Sequence, residues 1–224
     1  MNPNDIEVRI TADGSTTLYR KDIDETYHSH HGALQEARHV FIQEGLVQKL
    51  DLPKIKILEI GLGTGLNALL TYLFAKDNKL NIEYHGLEAF PLSEEILKHV
   101  NYKDVIQDNR VEKAFQDLHQ ASWNEKFSWS EQFEMLKIHD ELQSYHAPKD
   151  FFDLIYFDAF GPRAQEEMWD INLLSKLYSE LKFGGILVTY CAKGSFKRDL
   201  KSIGFKLESI PGPPGKREMT RAIK

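Results

Sequence analysis

Apolar positions along the chain recur in two alternating rhythms, one suited to buried strands and one to helices. Residues 55–60 form a near-continuous apolar run that meets the glycine-rich stretch Gly61-Leu62-Gly63-Thr64-Gly65, and 66–76 then carry leucine and alanine at helical spacing. A short apolar run bounded by turn residues predicts a buried strand, here leading straight into a helix. Residues 82–88 predict a second strand, followed by a helix over 92–100 with Pro91 in its first turn. Further on, 111–120 predicts a helix, 127–129 and 133–138 two strands, 152–158 an apolar strand, 173–181 a helix, 185–192 a strand and 195–203 a basic helix. The chain closes with strands at 205–210 and 218–223. At the other end, 7–10 and 16–19 flank an Asp13-Gly14 turn and predict a hairpin. Leu34, Ala37, Val40 and Phe41 mark the apolar face of a helix over 32–44.

Strands alternating with helices argue for a parallel sheet covered on both faces. The last two strands are joined by Pro211-Gly212-Pro213-Pro214-Gly215 with no helix between them, which predicts an antiparallel pair at the sheet edge. The expected fold is α/β and Rossmann-like: a mostly parallel seven-stranded sheet with an antiparallel C-terminal edge strand, the pattern of class I methyltransferases. Residues 1–50 are expected as a small hairpin-and-helix extension packed on the ligand cleft, and 51–224 as the main domain. There are no internal repeats. The 224 residues suffice for one substantial core. No run approaches the roughly 20 apolar residues that span a bilayer, the N-terminus lacks the regions of a signal peptide, and Cys191 is the only cysteine. These features predict a soluble, cytoplasmic protein with no disulfide and no cysteine-based zinc site. His28, His30 and His31 lie close together but have no carboxylate in register, and read as a polar surface or pocket wall rather than a metal site.

The candidate chemistry gathers at strand ends. Gly61 and Gly63 let the backbone approach a nucleoside cofactor closely, and the helix after Gly65 offers free N–H groups to it. Glu88, at the tip of the second strand, can accept hydrogen bonds from both ribose hydroxyls of an adenosine, or stand as a solvated carboxylate. The spacing G-x-G-x-G, and a negative Glu59 two residues ahead of the first glycine, favour the cationic sulfonium of S-adenosylmethionine over a dinucleotide pyrophosphate. Asp140 suits either an adenine amine or the cap of a helix opening at Glu141-Leu142. Asp158 ends the apolar strand Ile155-Tyr156-Phe157 and precedes Ala159-Phe160-Gly161-Pro162. A carboxylate there can orient an amine and accept its proton during methyl transfer, or cap a turn. Phe160 and Trp169 can stack on a base or belong to the core. The net charge of −6 hides an asymmetry: from Lys193 onward nine bases face three acids, a local +6 that leaves −12 for the rest. A basic segment on an acidic body offers a phosphate-binding face or a solvated helix.

Several separated motifs resemble one family. Gly32-Ala33-Leu34-Gln35-Glu36-Ala37-Arg38-His39-Val40-Phe41, Gly61-Leu62-Gly63-Thr64-Gly65-Leu66-Asn67, Leu87-Glu88-Ala89-Phe90-Pro91-Leu92, Phe157-Asp158-Ala159-Phe160, Met168-Trp169 and Gly215-Lys216-Arg217-Glu218-Met219 stand in the order seen in the methyltransferase domain of bacterial tRNA wobble-uridine modification enzymes, the MnmC family in its stand-alone MnmD form. The resemblance runs from about Tyr27 to the C-terminus. It implies transfer of a methyl group from S-adenosylmethionine to the amine of 5-aminomethyl-(2-thio)uridine at tRNA position 34, with Asp158 at the transfer site. It further implies Gly61, Gly63, Glu88 and Asp140 around the cofactor, completed by the segment of Glu36, Arg38 and Asn67; Glu59 and Gly65 of the strand and loop are expected beside them. Phe160, Lys193, Lys216 and Arg217 are then expected to face the tRNA anticodon stem-loop. Because the chain ends at Lys224, the flavin-dependent oxidase of the bifunctional relatives is expected to be absent. The alternatives are a methyltransferase of a small amine, a non-catalytic RNA-binding module, and, with a differently spaced glycine loop, aminopropyl transfer.

Overall fold

In the computed structural model, which describes residues 5–224, β1 (Ile6–Ile10) and β2 (Thr16–Arg20) form the predicted hairpin, with Ile6 opposite Arg20 and Ile10 opposite Thr16. Gly14 turns the chain at φ +83°, and the Asp13 carboxylate accepts from the Ser15 backbone N–H and the Thr11 hydroxyl. A two-residue strand, β3 (Glu25–Thr26), pairs with β2 and was not expected from the sequence. The helix expected over 32–44 is a short α1 (Ala33–Ala37) that widens into a π-helical segment, Arg38–Gln43. It still buries Leu34, Ala37, Val40 and Phe41, so the apolar spacing marked the right face.

The main body follows the predicted alternation: β4 (Ile55–Ile60), α2 (Leu66–Asn78) and β5 (Ile82–Glu88). After β5 the expected nine-residue helix is absent. Pro91 lies ahead of the Ser93 cap, and α3 (Glu94–Leu97) and α4 (Tyr102–Val105) are single turns. Then come α5 (Val111–Gln120), β6 (Lys126–Ser130), β7 (Phe133–His139), β8 (Phe152–Phe157), α6 (Ile171–Glu180), β9 (Leu181–Thr189), α7 (Gly194–Ile203), β10 (Lys206–Pro211) and β11 (Glu218–Ile223).

The large sheet runs β10-β11-β9-β8-β4-β5-β7-β6. It has eight strands rather than seven, because β6 adds antiparallel to β7 at one edge. The five strands β9-β8-β4-β5-β7 are parallel. At the other edge β10 and β11 form the predicted antiparallel pair, with β11 inserted between β9 and β10. Strand alternation divides the core into two layers. Ile55 and Ile57 of β4, with Leu154 and Tyr156 of β8, pack into the layer of α1, α2 and α5. Leu58 and Ile60, with Ile155 and Phe157, pack under α6 and α7. The carboxyl ends of β4, β5 and β8 therefore meet where β4 has neighbours leading in opposite directions, the place where open parallel sheets hold ligands. No helix among the described residues is long and apolar enough to cross a membrane.

Ile155 is fully buried whereas Phe183 is 93% exposed on β9. Ile155→Ala is expected to cost about 2–5 kcal/mol of unfolding free energy, and Phe183→Ser no more than about 0.5 kcal/mol. Urea denaturation of the two variants measures the contrast, and equal losses would contradict the layer assignment.

Candidate active site

The loop between β4 and α2 depends on two residues without side chains. Gly61 has φ +87°, and a Cβ placed on it would stand 2.7 Å from the Asp158 carbonyl oxygen. Gly63 has φ +51°, with the Tyr27 ring 3.2 Å from its hypothetical Cβ. A side chain at either position would push apart the end of β8 or the N-terminal extension. Glu88 fastens the loop from β5. Its Oε2 accepts from the Gly63 N–H at 2.8 Å and its Oε1 from the Phe90 N–H at 2.9 Å. Burial raises the Glu88 pKa, while these two donors draw it back. Each oxygen keeps a second acceptor position.

Asp158 stands just beyond β8, its backbone N–H bonded to the Ile60 carbonyl at 3.0 Å. Its Oδ2 accepts from Asn67 Nδ2 at 2.8 Å, and the same nitrogen donates to Glu59 Oε1 at 2.9 Å. Glu59 Oε2 in turn accepts from the Tyr84 hydroxyl at 2.7 Å. Burial, reinforced by the Glu36 carboxylate, lifts the Asp158 pKa from an ordinary 3.8 to about 7, against the Asn67 hydrogen bond and the Lys216 charge. Asn67 is 2% exposed, and its Oδ1 is buried without a hydrogen-bond partner. An unfilled acceptor beside two carboxylates suits a ligand bearing N–H groups.

These groups open into a cavity of about 440 Å³. Of the residues anticipated from sequence, Asp158, Asn67, Gly61, Gly63, Glu88, Asp140 and Phe160 line it. Glu59 does not: it is fully buried behind Asn67, and burial pushes its carboxyl well above the usual range. The expected direct exposure of Glu59 to the cofactor cleft is therefore not seen; Glu59 reaches the cavity only through the hydrogen bond it accepts from Asn67. Gly65 is not in the wall either. At φ +75° it caps the start of α2, packed against Leu118. No helix follows Asp140 for it to cap; its Oδ1 accepts from the next backbone N–H, that of Glu141, and the residue lines the cavity. Trp169 belongs to the core, edge-on to Phe157 and Phe196, with its indole N–H donating to the Phe160 carbonyl at 2.8 Å. Arg38 is exposed and outside the wall.

The extension contributes to the wall Tyr27 and Arg20, which sequence reasoning did not single out, and His28, which it read as surface or pocket wall. Tyr27 meets the Phe160 ring edge-on at 5.1 Å between centroids, and the Arg20 guanidinium lies 5.9 Å from the same ring. His28, one of the three clustered histidines, also lines the cavity. Burial lowers its pKa to about 4, so it is neutral at pH 7. No group of three metal-ligating side chains is assembled among the described residues.

The basic C-terminal segment lies outside the cavity wall and divides into two sets. Lys197, Lys216, Arg221 and Lys224 are tied to Glu218, Glu36, Glu44 with Glu208, and Asp150. Lys193, Arg198, Lys201, Lys206 and Arg217 are exposed and form no ion pair within 4.0 Å among the described residues. Lys216 is thus committed inward, whereas Lys193 and Arg217 remain open to solvent.

Comparison with known proteins agrees with this geometry. Residues 110–224, half of the chain, match a family described as S-adenosyl-L-methionine-dependent methyltransferase. The chain is 31% identical over 211 residues to the tRNA 5-methylaminomethyl-2-thiouridine biosynthesis bifunctional protein MnmC of Leptospira borgpetersenii serovar Hardjo-bovis, covering 88% of this chain and 32% of that protein. It is 32% identical over 221 residues to the protein of the same name from Leptospira interrogans, covering 94% and 34%. The chain thus spans about a third of the length of these relatives. Among solved structures it resembles MNMC2 from Aquifex aeolicus, with a TM-score of 0.79 and 25% identity over 97% of this chain and 69% of that one.

The raised Asp158 pKa has a consequence for stability. Unfolded, the group titrates near 3.8 and folded near 7, so the folded state binds the extra proton between those values, and stability falls as pH rises through that window. Asp158→Asn removes the ionised group and keeps the Asn67 contact. It is expected to raise Tm at pH 8, by up to about 4 kcal/mol in free energy, with the gain shrinking toward pH 5. Thermal melts of both proteins across that range check it, and a gain that grows at low pH would contradict the assignment.

Proposed function

Because the chain belongs to the S-adenosyl-L-methionine-dependent methyltransferases, we propose that it methylates the amine of 5-aminomethyl-(2-thio)uridine at the wobble position of tRNA. The observation that carries this reading is the carboxylate of Asp158, held by Asn67 at the end of β8 beside the glycine loop. When bound, S-adenosylmethionine supplies an electrophilic methyl group on a sulfonium. The chain's own residues fit such a guest: Gly61 and Gly63 leave space for its close approach, and the Glu88 oxygens can each accept a further hydrogen bond from a ribose hydroxyl. Asp140 faces the same cavity. Asn67 Oδ1 is an acceptor in want of a donor, such as an ammonium group.

Asp158 then serves the acceptor amine. Asn67 occupies one of its oxygens, Oδ2, which leaves Oδ1 to orient the nitrogen and take the proton it sheds on alkylation. A carboxylate of ordinary acidity would hold that proton poorly, whereas one that titrates near 7 is matched to the task at neutral pH. Phe160 and Tyr27 offer aromatic surface at the cavity for a uracil ring. Wobble uridine lies in a loop, where a base can be turned out without breaking a helix. Lys193 and Arg217, both exposed, are placed in this reading against phosphates of the anticodon stem-loop.

Incubation of the protein with S-adenosylmethionine and tRNA carrying 5-aminomethyluridine, followed by nucleoside mass analysis, should show one added methyl on that nucleoside alone. Asp158→Asn should lower turnover by about 10²-fold or more while retaining cofactor binding by calorimetry. Methylation of small amines in preference to tRNA would overturn the substrate, and an undiminished Asp158→Asn rate would overturn the catalytic role. The double variant Lys193→Ala/Arg217→Ala should raise KM for tRNA, leave kcat unchanged, and flatten the salt dependence of binding by about one unit of slope per lost contact.

A further inference from the structure

The two sheets have four edges, and three of them carry features that keep a further strand away. β10 begins with Lys206 and ends at Pro211. β6 opens with Lys126, and its ladder to β7 is broken by a bulge between Ser128 and Ser130. β3 is only two residues long. β1 has none of these devices. Its five residues, Ile6-Glu7-Val8-Arg9-Ile10, hold unbroken register with β2, and no strand among the described residues lies on its other side.

The direction of its free backbone groups follows from the hydrogen bonds at the two ends of the hairpin. The Lys21 N–H donates to the Asp5 carbonyl and the Thr11 N–H to the Ser15 carbonyl, both at 2.9 Å. Bonded pairs alternate along an antiparallel ladder, so Glu7 and Arg9 are the residues of β1 that bond to β2. Ile6, Val8 and Ile10 therefore turn their N–H and C=O groups to the open edge. Their side chains share one face of the strand, where Val8 is 39% and Ile10 64% exposed. Glu7 and Arg9 share the other face, both exposed, with Arg9 Nε 3.0 Å from Glu7 Oε1. The strand is its own complement when reversed. In antiparallel register centred on Val8, Ile6 meets the Ile10 of a second copy, Val8 meets Val8, and Glu7 meets Arg9. The three pairs built from Ile6, Val8 and Ile10 are those whose free backbone groups face each other, and each can exchange two hydrogen bonds. Glu7 and Arg9 fall between them, where side chains across a ladder come closest and opposite charges favour pairing. A slip of two residues would set Glu7 against Glu7 or Arg9 against Arg9, so the charges also select the register.

We propose that β1 is an interface between two copies of this chain, paired antiparallel about a two-fold axis at Val8. The occupant is a second copy because the strand's own reversed sequence matches it in backbone direction, apolar face and charge. A two-fold contact of this kind is self-complementary: what one copy offers, the other receives. It joins two three-stranded sheets into one of six strands, in which each β2 carries Arg20 to the wall of its own cavity. A ladder of five residues is a small contact, so the dimer is weak and concentration-dependent. The pairing is independent of which substrate the cavity takes.

Sedimentation equilibrium of the full chain, from micromolar to submillimolar concentration, tests this. The average mass should rise from that of one chain toward twice that value. Val8→Pro removes an N–H that β2 does not use, a substitution an edge strand tolerates, and should abolish the rise while leaving the circular dichroism spectrum unchanged. Arg9→Glu and Glu7→Arg each set like charges across the axis and should weaken association by about tenfold. An equimolar mixture of those two variants should restore it as a mixed dimer, because every acid then faces a base. Neither variant keeps the ion pair within its own strand, so the restoration reports the contact between chains. A mass that stays at one chain throughout, a dimer that survives Val8→Pro, or a mixture no more associated than its components would overturn the proposal. Should Val8→Pro fail to fold, the charge variants at the exposed positions and their mixture decide the matter.

Discussion

Two carboxylates share one carboxamide, and much of the local architecture follows from that arrangement. Asn67 has a single amino group with two hydrogens, and it gives one to Glu59 and one to Asp158. To do so the first turn of α2 must begin immediately above the ends of β4 and β8. That placement requires the chain to reverse within five residues after β4, through Gly61, Gly63 and Gly65 at positive φ. It also requires β4 and β8 to be adjacent and parallel, in the register that sets Ile60 beside Phe157. Holding acidic groups in such surroundings is costly, and the cost falls on strands whose apolar residues are buried on both faces. The two-layered core is what lets the sheet carry a destabilising group at its tip.

The same arrangement explains why some of the site was legible in the sequence and some was not. A glycine turn after an apolar strand has few structural meanings, so β4, the loop and α2 could be placed from local pattern. Glu88 and Asp158 were found because an acid ending an apolar run stands at a strand tip. Glu59 lies next to the glycine loop in sequence, yet it is buried away from the cavity wall. Strand parity gives the better answer: Ile55 and Ile57 face the α2 layer, and Glu59 shares their face. Its side chain therefore had to meet α2 before any ligand. The single turns after β5 were misjudged for a related reason, since tertiary packing and not helical spacing decides where so short a segment stops.

Residues of the extension and of the last hairpin were harder to read because their partners are remote. A run of bases looks the same whether its members face solvent or pair with acids elsewhere in the chain. Only the fold separates Lys216, bound to Glu36 across 180 positions, from Arg217 beside it, which is exposed and forms no ion pair within 4.0 Å among the described residues. Tyr27 and Arg20 carry no local signature of a cavity wall. They reach it because β2 and the segment after it lie against the glycine loop, as the contact of Gly63 with the Tyr27 ring records.

This division of labour also locates specificity. Glycine loop, strand-tip acid and crossover helix are properties of a fold that serves many reactions, and they determine the cofactor more than the acceptor. The rest of the cavity wall that Asp158 shares comes in part from elements added to that fold: Arg20, Tyr27 and His28 of the extension. The extension is no appendage, because its residues 33–46 share a core with α2 and β9, and its ties to Pro211, Lys216 and Arg221 close the circuit at the far end of the chain. A change of acceptor would therefore be sought in these added segments, while the glycine loop and Glu88 could stay as they are. Asp158 stands at the boundary, held by Asn67 from the fold, and in the proposed reading cofactor and acceptor are both brought to bear on that one ionisable group.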